Sequence, residues 1–282
     1  MIRLSVKVRR EHAEIVLADL MAFAPGGLEE VDLGDAVEYA LYGAEGELPA
    51  LGDVRAVAGD ALVEVSTSEV AEVDWHSFHV PIDVGVARLT APAAGSTRPE
   101  GSSSPVLRVR PPWHPPLDGA LDVVIEPGQG FGTGSHATTR LTLELLTELQ
   151  PEGALADWGC GSGILAIAAA KLGWDPVLAC DIEPESVDEA RASAAKNGVT
   201  LEVTRCDVRH GGPPAPTVLA NLVRPLLLEV ASNLTDLPER LIISGVETHE
   251  IDEVVGAFTA IGLTERARRE GNGWAAIELV RT

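Results

Sequence analysis

Asp157-Trp158-Gly159-Cys160-Gly161-Ser162-Gly163 lies between a strand pattern and an apolar helix pattern that starts at Ile164. Glycines in such a turn let the chain fold back tightly and let its backbone approach a ligand with no side chain in the way. At the carboxyl end of a strand, this is where doubly wound sheets hold nucleotides. The dinucleotide fingerprint requires a glycine three residues after Gly161, and position 164 is Ile. The spacing Gly159, Gly161, Gly163 therefore suits an adenosyl ligand that has no pyrophosphate to cradle. Asp181, at the end of the next strand pattern, is placed to accept both ribose hydroxyls. Asp207 closes a third strand pattern, within reach of an adenine amino group; a simple turn acid is the competing reading.

A second segment runs Glu126-Pro127-Gly128-Gln129-Gly130-Phe131-Gly132-Thr133-Gly134-Ser135-His136-Ala137-Thr138-Thr139 into a helix pattern over Arg140–Leu149. Its hydroxyl cluster suggests that Thr138 or Thr139 caps that helix and donates to a ligand carboxylate. His136 reads better as an orienting or packing group than as a base. Asn221-Leu222-Val223-Arg224 follows a fourth strand pattern, with no Pro-Pro-aromatic continuation. Trp274 is expected to cover sheet surface, and His76 with His79 does not read as a metal site.

The elements that must position these residues fall into three regions. Residues 1–73 alternate strand and helix patterns in the order βαββαβ, matching a small ferredoxin-like α+β domain. Residues 74–117 have a connector's composition, with the Gly/Ser/Pro-rich stretch 91–105 at their centre and short strand-like pieces, Val84–Leu89 and Val106–Val109, on either side of it. Residues 118–282 read as α/β: strands at Leu155–Trp158, Val177–Cys180, Leu201–Arg205, Val218–Asn221 and Leu241–Ser244, mostly separated by helices, imply a parallel sheet. Two further strands without a helix between them, Gly262–Arg268 and Trp274–Val280, imply an antiparallel pair. That layout is the Rossmann-like sheet of class I methyltransferases.

Composition narrows the partners. The 282 residues carry 21 Lys plus Arg against 43 Asp plus Glu, a net charge of −22, with 45% hydrophobic residues. Disorder throughout is excluded, since it needs few apolar residues beside such charge. Direct nucleic-acid binding through a basic face is disfavoured. An acidic surface favours a basic partner. The three cysteines, Cys160, Cys180 and Cys206, fit neither a disulfide framework nor a zinc site, and no metal is expected. No apolar run approaches the roughly 18 residues of a membrane span, and the first residues lack a leader pattern. The expectation is a cytoplasmic monomer.

The segment from Glu126 to Thr139 resembles the ribosomal protein L11 methyltransferase (PrmA) family, whose pattern is an acidic Pro-Gly followed by Phe-Gly-Thr-Gly-Thr-His-Pro-Thr-Thr. Asp157–Ile167 is similar to that family's adenosyl-binding segment with Trp158 in place of Phe, and Ala220-Asn221-Leu222 to its Ala-Asn-Ile. Trp75 and Phe78 resemble its aromatic pair entering the connector. Ala137 replaces the family's Pro, Gln129-Gly130 replaces Leu-Ala, and the stretch 91–105 is longer than the family's connector. Carried over by position, the resemblance implies S-adenosylmethionine contacts at Thr139, Gly159, Asp181 and Asn221, to which the glycine turn adds Gly161 and Gly163. It further implies an amino-terminal domain that holds a basic ribosomal protein, and transfer of methyl groups to its amines. Asn221 is the candidate catalytic residue, accepting a hydrogen bond from the amine. A class I methyltransferase for lysine of another protein is the alternative; a nicotinamide oxidoreductase or a non-catalytic adenosyl-binding module is less favoured.

Overall fold

The computed structural model describes residues 2–13, 16–17, 20, 28–43, 46–69, 80–86, 106–126 and 136–282. They divide into two compact units, Met1–Phe78 and His79–Thr282. Most of the glycine-rich segment (127–135), the stretch 91–105, and Trp75, His76, Phe78 and His79 lie outside the described residues.

In the first unit, β1 (Ile2–Arg9), β2 (Glu29–Asp32), β3 (Ala36–Gly43) and β4 (Leu62–Glu69) form an antiparallel sheet in the order β2-β3-β1-β4. The strict alternation in β1 turns Leu4, Val6 and Val8 inward, onto Tyr39, Leu41 and Val54 and Ala58 of α1 (Leu51–Ala58). Ala13, Val16 and Leu20 are helical and buried in the same core. The outward residues of β1 pair across strands: Glu38 accepts from Arg3 (2.6 Å) and from the Ser5 hydroxyl (2.8 Å). These bonds, the one from Ser5 foremost, hold the Glu38 carboxyl below its ordinary pKa. The topology is the ferredoxin-like sandwich expected.

The second unit begins with β5 (Ile82–Val86), β6 (Val106–Arg110) and β7 (Leu121–Val124), a three-stranded sheet in that order. This corrects the reading of 74–117 as a connector. Leu107 and Val109 are buried in the core of the second unit, where apolar alternation outweighs the surrounding prolines. The Pro111–Pro116 turn is ordered by Arg110, which bonds Asp122 (2.8 Å) and the His114 carbonyl (2.7 Å).

After α2 (Ala137–Thr147) comes the main sheet, made of β8 (Leu155–Trp158), β9 (Val177–Asp181), β10 (Glu202–Arg205), β11 (Thr217–Asn221), β12 (Arg240–Glu247), β13 (Leu263–Gly271) and β14 (Trp274–Arg281). Its order is β10-β9-β8-β11-β12-β14-β13, parallel except for β14 and β13. The connecting helices are α3 (Ile164–Leu172), α4 (Pro184–Asn197), α5 (Arg224–Asn233) and α6 (Ile251–Ala260). Helix α3 is buried on nearly every side, as its almost continuous apolar sequence requires. The Asn197 side chain at the end of α4 accepts from the Val124 N–H (2.8 Å) and donates to the Val124 carbonyl (2.7 Å), tying the small sheet to the helical layer. The chain reverses its order across the sheet between β8 and β11. A crevice is forced to open there, at the carboxyl ends of both strands. Among the described residues no helix is long and apolar enough to cross a membrane.

Candidate active site

The crevice is a cleft of about 720 Å³, within the range of small-molecule sites. Thr139, Gly159, Gly161, Asp181 and Asn221 all line it, with His136, Asp207, Arg209, Leu222 and Trp274. Gly163 does not. It ends the turn as the residue before α3, with φ +81°, and a Cβ there would press on Ala190 of α4 at 3.1 Å, so glycine suits the position.

The wall formed by β8, β9 and β10 is made of backbone and carboxylates. Gly159 has φ +73°, which favours glycine, and a Cβ built on it would lie 2.3 Å from Leu222 Cδ2, so a side chain there would have to displace that tip. Asp181 accepts from the Gly161 N–H (2.9 Å) on one oxygen and from the Glu183 N–H (3.0 Å) on the other. Both oxygens are thus oriented, and each keeps a lone pair for a hydroxyl. Asp207 is clamped by Arg209, whose Nε lies 3.0 and 2.9 Å from its two oxygens. That bond holds the carboxyl below its usual pKa. Beneath the glycine turn, Asp157 is fully buried. One oxygen accepts from the Ala166 N–H (3.1 Å), and the other has no partner among the described residues. Burial pushes its pKa up to about 7, against the smaller opposing effect of that bond.

The opposite wall, from α2, β11, β12 and β14, is built by packing. The cap of α2 is His136, not the expected Thr138 or Thr139, which lie inside the first turn. His136 Nδ1 accepts from the Thr138 N–H (3.4 Å) and sits 2.7 Å from Thr138 Oγ1, while burial lowers the imidazole pKa and keeps it neutral. An orienting role for His136 follows from this geometry. Thr139 Oγ1 is buried without a partner among the described residues, so it has a bond left for a ligand. Trp274 does more than cover sheet: it lines the cleft, its ring 4.8 Å from that of His136 and inclined by 69°. The hairpin β13–β14 carries it there from the far end of the sequence, beyond the reach of any local pattern. Asn221, the last residue of β11, makes no side-chain hydrogen bond among the described residues and faces the same space.

A family profile described as ribosomal protein L11 methyltransferase (PrmA) matches residues 102–282. A ribosomal protein L11 methyltransferase from Burkholderia vietnamiensis is 33% identical, over 97% of this chain and 96% of its own length. The chain belongs to the ribosomal protein L11 methyltransferase family. Its homologue from Geobacter metallireducens is 40% identical over 61% of this chain and 59% of that protein. The crystal structure of a ribosomal protein L11 methylase from Lactobacillus delbrueckii subsp. bulgaricus superposes with a TM-score of 0.54. It is 27% identical and covers 62% of this chain and 95% of that one. The fold is that of the class I methyltransferases, and the enzyme is an S-adenosylmethionine-dependent methyltransferase. The cleft fits that donor: an oriented carboxylate for a ribose diol, an unpaired hydroxyl at Thr139, and a lining in which Asp181, Glu183 and Asp207 outnumber the one cation, Arg209, among the described residues. Such a lining favours a sulfonium cation.

Proposed function

We propose that this enzyme methylates amines of ribosomal protein L11, lysine side chains or the terminal amine, at the Asn221–Trp274 side of the cleft. The observation that carries the reading is the meeting, in one cleft, of the Asp181 cradle with the Asn221 amide, without a side-chain bond among the described residues, and the Trp274 indole across the strand-order reversal. Gly159, Gly161 and Asp181 hold the adenosyl end, and Thr139 donates to the carboxylate of the methionyl end. Bound S-adenosylmethionine supplies an electrophilic methyl group and a positive charge beside the acceptor.

The acceptor must arrive unprotonated. A free lysine has a pKa of about 10.4, so neutralising it at pH 7 costs about 4–5 kcal/mol. Desolvation against the Trp274 face and Leu222 favours the neutral amine. The Asn221 carbonyl accepts one amine hydrogen and so directs the nitrogen lone pair, while solvent takes the departing proton. His136, neutral and occupied as the α2 cap, holds the Trp274 ring instead of serving as base. Most of the acceleration then comes from positioning two bound reactants. The acidic chain, with its net charge of −22, complements a basic ribosomal protein. Incubation of enzyme, S-adenosylmethionine and purified ribosomal protein L11 should add methyl masses to that protein, located on amines by peptide mass spectrometry. An unchanged L11 mass, with label appearing instead on another protein of a cell extract, would replace this substrate.

A further inference from the structure

Leu222 sits between two glycines that have no room for a side chain, and each excludes it for a different reason. At Gly159 the obstacle is the tip of the Leu222 side chain, Cδ2, 2.3 Å from a built Cβ. At Gly245, whose φ is +88°, the obstacle is the Leu222 backbone: its carbonyl oxygen at 2.3 Å, its carbonyl carbon at 2.7 Å and its nitrogen at 3.0 Å. Side-chain rotation of Leu222 can relieve the first contact, but it cannot relieve the second, which is with backbone. Gly245 is where the pairing of β12 with β14 slips by one residue, between Ser244 and Val246. This bulge lets the chain after Asn221 come against β12.

The backbone at 222 is held from the same point. The Leu222 N–H donates to the Ser244 carbonyl (3.0 Å), and the Ser244 hydroxyl, fully buried, donates to the Ala275 carbonyl (2.7 Å) with the Thr138 carbonyl 3.4 Å away. Ser244 thus joins the strand end bearing Asn221, the strand start bearing Trp274 and the first turn of α2. Leu222, itself 8% exposed, spans from this junction to the glycine turn. We propose that Leu222 is a positioning residue, a spacer whose length sets the separation between the cofactor turn at Gly159 and the acceptor-side Asn221. The proposal rests on the functional reading above.

The test compares Leu222→Ala, Leu222→Met, Gly159→Ala and the double variant Gly159→Ala/Leu222→Ala with the wild type. Three quantities are measured: affinity for S-adenosylmethionine by calorimetry, single-turnover methyl transfer at saturating substrates, and thermal midpoint. A misplacement of about 1 Å costs up to about 100-fold in rate. Leu222→Ala should therefore lose about tenfold or more in transfer rate while binding cofactor within about threefold, and Leu222→Met should recover most of that rate. Gly159→Ala should bind cofactor poorly. Contacting residues are energetically coupled, so adding Leu222→Ala should regain about fivefold in affinity by removing the obstacle, leaving only the strain of a left-handed alanine. Wild-type transfer by Leu222→Ala, equal losses in Leu222→Ala and Leu222→Met, or strictly additive affinities in the double variant would overturn the spacer. The affinity cycle needs no methyl acceptor. A wild type that binds cofactor but leaves ribosomal protein L11 unmodified therefore refutes the substrate reading while the cycle still decides on Leu222.

Discussion

On one side of the strand-order reversal, β8, β9 and β10 end in oriented amides and carboxylates: Gly161 and Glu183 donate to Asp181, and Arg209 clamps Asp207. On the other stand Asn221 at the end of β11, its amide without a side-chain bond among the described residues, Leu222 just after it as a wedge, and the Trp274 indole at the start of β14. The first side is organised by hydrogen bonds within the protein, which suits tight recognition of a fixed cofactor. The second is organised by packing at Gly245 and Ser244, which suits setting a distance. Damage to the first side should therefore appear in cofactor affinity or in the stability of the turn. Damage to the second should appear in the rate of transfer.

The largest expected effect lies beneath the first side. The Asp157 carboxyl, raised from 3.8 to about 7 by burial, is favoured in its neutral form only when folded. Its contribution to stability is therefore full below about pH 4 and is lost as the pH rises through about 7. The difference amounts to about 4 kcal/mol at 1.36 kcal/mol per pKa unit. Asp157→Asn, which keeps an oxygen for the Ala166 N–H, should gain stability relative to the wild type as the pH rises from 5 to 8. Parallel denaturation curves for the two proteins across that range would contradict a buried, titrating Asp157.

Next in size is Asp181→Ala, expected to weaken S-adenosylmethionine binding by about 2–4 kcal/mol, since charge-assisted bonds to the diol vanish and two backbone N–H groups lose their acceptor. Its transfer rate at saturating cofactor should stay near that of the wild type; a rate loss with affinity intact would reverse the assignment of the two sides. Trp274→Ala should do the opposite. A transfer rate lower by about 10- to 30-fold, equivalent to about 1.4–2 kcal/mol, is expected beside a cofactor affinity within about twofold. Steady-state kinetics with both substrates varied separates the two parameters.

The smallest effect concerns recruitment. Residues 1–78 hold 5 basic and 16 acidic residues, a net charge of −11 and so half of the total in just over a quarter of the chain. Attraction of a basic protein to that unit is screened as the Debye length falls to about 8 Å at 0.15 M salt. KM for ribosomal protein L11 should rise about two- to fivefold between 0.05 and 0.3 M salt while cofactor affinity stays flat. A truncation meant to isolate catalysis belongs at residue 79. One starting at 118 would strip Leu107 and Val109 from the core of the second unit.

Much of the first side was legible in the chain itself. Gly159, Gly161 and Asp181 stand at strand ends marked by short apolar runs and glycine turns, both local signals. Asn221 ends a fourth strand pattern, but its place among the candidates came from the resemblance of Ala220-Asn221-Leu222 to the family's segment. The rest of the second side was not legible, because its members meet only through the sheet: Trp274 arrives by an antiparallel hairpin, and His136 caps a helix that its own Thr138 and Thr139 appeared to start. The small sheet was legible only as two strand-like pieces beside the connector, not as a sheet. β6 lies beside the Gly/Ser/Pro-rich stretch, and β7 is four residues long.

The amino-acid sequence by itself determined the parallel sheet, the glycine turn and the place of Asp181 at a strand end, since each depends on residues within one strand, one turn or one helix. Only the tertiary structure decided that Gly163 packs against a helix outside the cleft lining, that Gly245 admits the Leu222 backbone, and that Trp274 lines the same cleft as Asn221. The physical reason is steric exclusion between segments distant in sequence: a glycine is required wherever another backbone comes within about 3 Å, and no local pattern records where that backbone will be.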